Sequence, residues 1–392
     1  MKTVYVDNNA TTKVAPEVLE VMLPYFSELY GNPSSMHFFG GQVEKEVDEA
    51  REKVADFLGA DPSEIVFTSC GTESDNAAVF GTLDASPEKR HLITTRVEHP
   101  AIGNVCTYLA HKGYRVTELS VDREGRLDLD ELRESITDET ALVTAMYANN
   151  ETGVIFPIEE IVEIVKGKGI PFHTDAVQAA GKIPINMKKS KIDMLSISGH
   201  KLHAPKGIGV LYIRKGTKFF PFLIGGHQEK GRRGGTENVP YIIGFGKACE
   251  LAKKHLEEEN TRVRALRDYL EAKILEKVPN TLVNGERIHR LPNTLCVSFE
   301  YVEGESILLL LSDLGICASS GSACTSGSLE PSHVLRAMGV PFTAAHGSIR
   351  FSLSVYTTKE EMDYIIEHLP PIIQRLRDIS PFWKDYLKSS KS

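Results

Sequence analysis

Cysteine is scarce and scattered in this sequence. Six cysteines occur among 392 residues, and no two of them form a Cys-x-x-Cys pair. This number and spacing predict neither a disulfide scaffold nor a zinc ribbon. Reduced thiols in a cytoplasmic protein are the simpler interpretation.

Long apolar runs and an excess of basic residues are missing as well. The longest aliphatic run, Ile307 to Leu311, is too short to cross a bilayer, and no signal peptide precedes the first strand-like run at residues 4–6. The formal net charge of −8 argues against a surface for nucleic acid or anionic membranes. We therefore expect a soluble intracellular protein without a nucleic-acid or membrane partner.

Short β-rich runs alternate with helical patterns through the first two-thirds of the chain. Most of these runs are separated by enough residues for a crossover helix, as neighbouring parallel strands require. The strand candidates are residues 64–68, 91–96, 115–119, 141–147, 170–173, 194–198 and 209–213. This pattern predicts an α/β fold whose sheet is mainly parallel.

The last third of the chain has a different pattern. One long helix is predicted around residues 250–278, and an amphipathic helix near residues 358–376. Short strands are predicted at residues 295–299, 316–319 and 348–353. We expect a large domain over residues 15–259 and a smaller α+β domain made of residues 1–14 and 260–392. The smaller domain carries a Ser/Gly-rich loop at about residues 319–332.

A carboxylate and an amine follow two of the predicted strands. Asp175 lies in His-Thr-Asp-Ala-Val-Gln (173–178), and Lys201 ends Ser-Gly-His-Lys (198–201). Ligands of parallel sheets bind beyond the carboxyl ends of the strands. Lysine forms a Schiff base with pyridoxal phosphate, and an acid keeps the pyridine nitrogen protonated. The pair therefore indicates this cofactor, although Asp175 could instead cap a helix and Lys201 could be a surface charge.

Other polar segments follow strands at the same edge. Residues 68–74 (Thr-Ser-Cys-Gly-Thr-Glu-Ser) suit a phosphate group at a helix N-terminus, or form a simple helix cap at Thr72. His99 is a candidate aromatic lid over a cofactor ring, or a histidine that is merely hydrogen-bonded in the wall of the domain. Residues 149–153 (Asn-Asn-Glu-Thr-Gly) form a turn, or contact the cofactor or substrate.

Cys324 and Arg350 are the candidates in the last third. Cys324 lies in a stretch at residues 319–328 that contains no large apolar side chain. We expect a mobile loop there, and a cysteine exposed in such a loop is often reactive. An incidental cysteine is the alternative. Arg350 is flanked by apolar strand residues and pairs either with a protein carboxylate or with the carboxylate of a substrate.

Together, these motifs resemble the NifS/IscS group of cysteine desulfurases over essentially the whole chain. The matching segments are residues 7–12 (Asp-Asn-Asn-Ala-Thr-Thr), 31–35 (Gly-Asn-Pro-Ser-Ser), 149–153, 173–175 and 198–201, with His99 and the Cys324 loop. The resemblance implies a fold-type I pyridoxal-phosphate enzyme, similar to aspartate aminotransferase, that forms a homodimer. It also implies conversion of L-cysteine to L-alanine with a persulfide left on the enzyme, which supplies sulfur for iron–sulfur cluster assembly.

The resemblance implies a role for each motif residue. Lys201 forms the Schiff base and moves protons, His99 stacks on the cofactor ring, and Cys324 takes up the sulfur. Asp175 bonds the ring nitrogen and Gln178 the ring oxygen. The other cofactor contacts implied are Gly71, Thr72, Asn150, Ser198, His200 and, from the partner subunit, Thr236. Asn150 and Arg350 orient the substrate, Arg350 through the substrate carboxylate.

The partner implied by the resemblance is a NifU- or IscU-like scaffold protein that accepts the sulfur. Cys324 is also a candidate transient iron–sulfur ligand through its persulfide. Residues 378–392 do not match the tail by which housekeeping members dock their scaffold, so nitrogenase assembly and general assembly both stay open.

Two alternative functions remain. One is another type I pyridoxal enzyme, such as a selenocysteine lyase or an aminotransferase, in which Cys324 is dispensable. The long Ser/Gly loop favours the NifS/IscS group over relatives with a short loop that prefer selenocysteine. The other is a metal or iron–sulfur carrier that uses scattered Cys and His residues such as His200 and His203.

Overall fold

The computed structural model describes residues 3–320 and 330–389. The strands are β1 (Val4–Tyr5), β2 (Ile65–Thr68), β3 (His91–Thr95), β4 (Arg115–Leu119), β5 (Thr140–Thr144), β6 (Phe172–Asp175), β7 (Met194–Ser198), β8 (Gly209–Ile213), β9 (Thr281–Val283), β10 (Thr294–Phe299), β11 (Ile316–Cys317) and β12 (Ser348–Ser352). The helices are α1 (Pro16–Met22), α2 (Pro24–Ser27), α3 (Phe38–Leu58), α4 (Gly71–Asp84), α5 (Pro100–His111), α6 (Leu129–Ser135), α7 (Ile158–Lys166), α8 (Val239–Glu258), α9 (Arg264–Lys277), α10 (Gly304–Asp313), α11 (His333–Ala337), α12 (Phe342–Ala345), α13 (Lys359–Ile379) and α14 (Pro381–Ser389). None of these helices is long and apolar enough to span a bilayer.

The larger sheet has seven strands in the order β2-β8-β7-β6-β5-β3-β4. Strand β8 runs antiparallel to both of its neighbours, and the other pairs are parallel. Strands β5, β6 and β7 are buried along their whole length, as expected for a parallel sheet covered on both faces. The predicted α/β fold with a mainly parallel sheet is confirmed.

The strands that position the candidate site follow their predicted bounds closely. Strands β4, β7 and β8 begin and end at the predicted residues. Strand β5 ends at Thr144 rather than at residue 147, and β6 is shifted to Phe172–Asp175. The apolar pattern continues beyond the ladder of β5 because Ala145 and Met146 remain buried where the chain turns towards the site.

A smaller antiparallel sheet, in the order β12-β10-β9, lies in the last third of the chain. Helices α9, α10 and α13 share its apolar core, which includes Phe299, Phe351 and the N-terminal residues Val4 and Val6. Strand β1 pairs in parallel with β11. The N-terminus therefore packs with the last third of the chain. The division between the two domains at residues 259 and 260 stays a prediction.

The prediction of one long helix around residues 250–278 is wrong in one respect. Helices α8 and α9 are joined by a π-helical turn at Glu259–Val263 rather than by regular α-helix. The wider turn is held by tertiary contacts: Lys182 Nζ lies 2.5 Å from Glu259 Oε1, and Asn260 Nδ2 donates to the Lys182 carbonyl at 2.8 Å. The helical periodicity of a sequence does not reveal such tertiary contacts.

Candidate active site

A cavity of about 340 Å³ opens at the carboxyl ends of β5, β6 and β7. It brings together most of the residues that the sequence singled out. The predicted residues that line it are Gly71, Thr72, His99, Asn150, Asp175, Gln178, Ser198, His200, Lys201 and Arg350. Thr236 is exposed and does not line this cavity. Cys324 lies outside the described residues.

Lys201 ends the short turn that follows β7. Its Nζ atom donates to the carbonyl oxygens of Asn9 and Ala10 at 2.6 and 2.7 Å. The Asn9 carbonyl also accepts from Gln178 Nε2 at 3.0 Å. Residues near the N-terminus therefore form the wall of the cavity that faces the lysine.

Asp175 is the last residue of β6 and is buried. Its Oδ1 atom accepts from the Val177 N–H at 2.9 Å, so the side chain does hold the following turn. Burial raises the pKa of this carboxyl, while His99 and Lys201 act in the opposite direction. The turn-capping bond and the position in the cavity wall are compatible, because only Oδ1 is needed to cap.

His99 caps the N-terminus of α5, where its Nδ1 atom accepts from the Ala101 N–H at 3.1 Å. Burial lowers the pKa of the ring; the neighbouring Asp175 raises it, and Lys201 lowers it. Because Nδ1 accepts a hydrogen bond, the neutral form of the ring carries its hydrogen on Nε2. That atom is suited to passing a proton within the cavity.

The turn between β2 and α4 forms a cradle beside these groups. Gly71 begins α4, and a Cβ atom there would lie 2.9 Å from Val177 Cγ2 and 3.4 Å from Ser198 Cβ. The Ser198 hydroxyl is buried and has no hydrogen-bond partner in the described part of the chain. Unpaired N–H groups at a helix N-terminus and an unpaired hydroxyl match the needs of a phosphate. The cradle fits the phosphate of pyridoxal phosphate.

Arg350 reaches the cavity from β12 of the smaller sheet. Its Nη2 atom donates to Asp7 Oδ1 at 2.9 Å, and Nη1 donates to the Asn150 carbonyl at 3.0 Å. Its Nε atom is buried and has no partner within the described ranges. Asp7 is therefore the protein carboxylate that pairs with Arg350, which was one of the two predicted partners. The guanidinium also borders the cavity, where it can bind a second carboxylate.

Several residues of the cavity were missed by the functional analysis of the sequence. They are Asn9, Ala10, Cys70, Asp75, Met146, Ala148 and Val177. Asn9 and Ala10 belong to a motif that the sequence analysis noted without assigning it a role. Asp75 lies one helical turn after Gly71, so helical spacing from the cradle was the signal that could have found it.

The described residues on either side of Cys324 are bonded next to the cavity. Ser319 and Arg350 exchange two backbone hydrogen bonds, at 2.6 and 3.2 Å. On the other side, Ser332 Oγ donates to Glu151, and His333 Nε2 bonds the Glu98 carbonyl at 2.9 Å. Both flanks are therefore attached to the rim of the same cavity.

Metal-binding groups are missing from the part of the chain that the structure describes. There, no group of three or more His, Cys, Asp or Glu side chains could hold a metal ion. His200 Nδ1 bonds Thr11 Oγ1, and His203 Nδ1 bonds the Lys13 carbonyl. The two histidines are thus used for protein contacts, which weakens the alternative of a metal carrier.

Comparison with known proteins adds independent information. The Aminotransferase class-V family model matches residues 4–365. The chain is 64% identical over 385 residues to a cysteine desulfurase of Trichormus azollae, covering 98% of this chain and 96% of that protein. It is 59% identical over 384 residues to the cysteine desulfurase NifS of Azotobacter vinelandii, with the same two coverages of 98% and 96%.

Solved structures are similar over most of the chain. A structure described as a NifS-like protein has a TM-score of 0.90 at 42% identity, covering 96% of this chain and 100% of that chain. A second, described as SspA in complex with cysteine, has a TM-score of 0.80 at 38% identity, covering 90% and 99%.

Proposed function

The chain belongs to the class-V aminotransferase family and, within it, to the NifS-type cysteine desulfurases, and we propose that its cavity removes sulfur from L-cysteine with pyridoxal phosphate. The products are L-alanine and a persulfide on Cys324. The observation that carries the proposal is the convergence of Lys201, Asp175 and Arg350 on one cavity. An amine, an acid and a guanidinium in one cavity suit an aldehyde cofactor and an amino-acid carboxylate.

Residues from the larger sheet hold the cofactor in this proposal. When bound, pyridoxal phosphate supplies an aldehyde for an amine and an electron-withdrawing ring. Lys201 Nζ would hold the aldehyde carbon, Asp175 the ring nitrogen and Gln178 the ring oxygen, while His99 would cover the ring. The phosphate would be held by Gly71, Thr72, Ser198 and His200.

The substrate is oriented by Arg350, which binds its carboxylate, and by Asn150. The Lys201 amine, when it is not bonded to the cofactor, would accept the proton from the substrate α-carbon. His99 moves protons through Nε2. Positioned acid–base groups of this kind contribute roughly 10²–10⁴-fold to a reaction rate.

Cys324 performs the sulfur transfer in this proposal. Its thiolate attacks the substrate sulfur, so an S–S bond forms while the Cβ–S bond breaks and leaves its electron pair on the substrate. Protonation of that carbon completes alanine, and the overall balance is cysteine plus thiol to alanine plus persulfide. The flank at Ser319 is bonded to Arg350 itself.

The test of this proposal uses L-cysteine with the purified enzyme. We expect equal amounts of alanine and released or bound sulfur. Cys324→Ala should lower alanine formation at least about 100-fold, because the covalent acceptor is lost. The matched control is Cys317→Ala, which removes a free, half-buried thiol away from the cavity. Undiminished alanine and sulfide formation by Cys324→Ala would instead favour a selenocysteine-lyase-like reaction.

We extend the proposal to a homodimer in which Thr236 of one subunit reaches the phosphate of the other. Two groups of large apolar side chains are exposed on the single chain, which is typical of an interaction surface. They are Leu19, Leu23, Phe26, Tyr30, Met36 and Phe38 in the first group and Phe220, Phe222, Leu223 and Ile224 in the second. A mass of two chains in solution is expected, and Ile224→Asp should lower it while Leu309→Asp, at an exposed position of α10, should not. An active monomer would contradict the dimer.

The acceptor of the sulfur is proposed to be a NifU- or IscU-like scaffold protein for iron–sulfur cluster assembly, with Cys324 as a transient ligand of the cluster. A cytoplasmic location is proposed with it. The five cysteines that the structure describes are all free thiols, which supports a reducing compartment. Transfer of labelled sulfur from the enzyme to such a scaffold tests the partner, and retention of all label on the enzyme would count against it.

A further inference from the structure

Besides Glu151, which lies near Arg350, three carboxyl groups are buried in or beside the cavity, and the proposed function uses only one of them. The side chains of Asp75, Glu98 and Asp175 are 1%, 3% and 6% exposed. Asp75 lines the cavity from α4, Asp175 lines it from β6, and Glu98 immediately precedes His99. Three anions this close together without matching cations would repel one another strongly.

Asp75 has no cation among its contacts in the described part of the chain. Its Oδ1 atom lies 3.6 Å from His173 Nε2 and has no hydrogen-bond partner among the described residues. His173 is not a cation, because burial lowers the pKa of its ring to about 3. The two ring nitrogens of His173 are bonded to the hydroxyls of Thr144 and Ser196 at 2.8 and 2.9 Å. These side chains beside Asp75 are therefore polar but uncharged.

Glu98 is in a similar position. Its Oε1 atom accepts from Thr95 Oγ1 at 2.8 Å and from the Met146 N–H at 2.9 Å, whereas Oε2 has no partner in the described part of the chain. Burial raises the pKa of its carboxyl to about 8. The titratable groups that interact with its carboxyl are Asp75, Cys106 and Asp175, and His333 bonds its backbone carbonyl.

Asp175 differs from both. Like Glu98, it accepts a backbone hydrogen bond, here from Val177, but unlike the other two acids it is favoured in its charged form by His99 and Lys201. For Asp75, burial and the charge of Asp175 both raise the pKa, while a hydrogen bond with Ser196 acts in the opposite direction. When neighbouring buried acids compete for one negative charge, the charge stays where a cation faces it.

We propose that Asp75 and Glu98 are neutral carboxylic acids that act as positioning residues and keep the negative charge of this cavity on Asp175. The inference rests on the proposed function, since it takes Asp175 as the partner of the pyridine nitrogen. A single localised anion gives the ring nitrogen one counter-ion at a fixed place. A second anion on Asp75 would raise the pKa of Asp175, so that the two carboxyl groups would compete for a proton and the counter-ion would no longer stay at one place.

The first experiment compares two isosteric variants of the full-length enzyme, Asp75→Asn and Asp175→Asn. The measurements are affinity for pyridoxal phosphate, the pH midpoint of its visible absorption band, and kcat and KM for L-cysteine. Asp175→Asn should lose at least about 100-fold in kcat, and Asp75→Asn less than about tenfold with a pH midpoint near that of the unmodified enzyme. The reverse order would overturn the proposal, because it would put the charge on Asp75. If Asp75 had only a structural role, the pH midpoint of the absorption band in Asp75→Ala would equal that of the unmodified enzyme. The proposal expects this pH midpoint to be shifted in Asp75→Ala.

The second experiment measures thermal unfolding between pH 5 and 8 without any added cofactor. An acid whose pKa is raised in the folded state destabilises the fold as pH rises from its unfolded pKa towards its folded pKa. Glu98→Gln and Asp75→Asn should therefore gain several degrees in Tm over the unmodified chain, and the gain should grow as pH rises from 5 to 8. The control is Asp138→Asn at an exposed position, for which no such trend is expected.

The two experiments separate the inference from the proposed function. If pyridoxal phosphate does not bind through Lys201, the visible band is missing from the unmodified enzyme, and the proposed function fails. The unfolding trend does not depend on that band. A gain in Tm that is independent of pH would show that Asp75 and Glu98 are charged, and would overturn the inference alone.

Discussion

The two sheets contribute to the cavity in different ways. The seven-stranded sheet provides Asp175, Lys201 and the cradle at Gly71 from the ends of neighbouring strands and the helix that follows β2. The three-stranded sheet provides Arg350, which is fixed by Asp7 and by the Asn150 carbonyl. In the proposed function, the larger sheet would therefore hold the cofactor, and the smaller sheet would provide the group that binds the substrate carboxylate. Variants in each sheet should separate these two tasks.

The largest effect is expected from Lys201→Ala in the seven-stranded sheet. Loss of the amine removes both the covalent attachment and the proton acceptor, so alanine formation should fall by about 10⁴-fold or more. The visible band of bound cofactor should disappear as well. Lys206→Ala, an exposed lysine five residues later, is the control and should keep both. Substantial activity of Lys201→Ala would remove the basis for assigning the cofactor to this sheet.

A smaller effect is expected from Arg350→Ala in the three-stranded sheet. A charged hydrogen-bonded contact to the substrate carboxylate is worth about 1.5–3 kcal/mol, so kcat/KM should fall roughly 10- to 100-fold through a raised KM. The absorption spectrum before substrate is added should not change. Asp7→Asn distinguishes the contribution of Asp7 from that of the substrate carboxylate, because it removes the ion pair with Arg350 and keeps the guanidinium. A lost cofactor band in Arg350→Ala would show that the two tasks are not divided between the sheets.

The smallest effect is expected from Gly71→Ala in the cradle. The new Cβ atom would lie 2.9 Å from the end of the Val177 side chain, which can shift at modest cost. Affinity for pyridoxal phosphate should fall by about tenfold, a loss of roughly 1.4 kcal/mol, with kcat of the saturated enzyme nearly unchanged. Gly103→Ala is the control: its Cβ meets nothing within 4 Å in α5, and the change should slightly stabilise the helix. Equal affinity in both variants would mean that the cradle does not contact the phosphate.

The sequence predicted the seven-stranded sheet and its strand-end residues well because both follow from local pattern. Apolar runs mark β7 and β6, and the rule for parallel sheets brings Lys201 and Asp175 to one edge. The family predicted from the motifs is confirmed by the relatives and by the matching family model.

The features that the sequence did not predict depend on distant contacts. Asn9 forms part of the wall because its side chain bonds Thr294 and Asn293, almost 300 residues away. In the sequence, Asp75 resembles an ordinary polar residue of a helix. Only the packing of α4 on the sheet makes it a buried residue of the cavity. The π-helical turn depends likewise on the buried pair of Lys182 and Glu259.

The wall formed by the N-terminus constrains when the enzyme can mature during synthesis. Asn8 bonds the carbonyl of Ser352, 344 residues later, and Val4 and Val6 pack in the core of the three-stranded sheet. Strands β2 to β8 can assemble on the ribosome as they emerge, since they are contiguous in sequence. The carbonyls that face Lys201 cannot be fixed until β12 has left the ribosome. Cofactor capture should therefore be a late event, which follows release of nearly the whole chain.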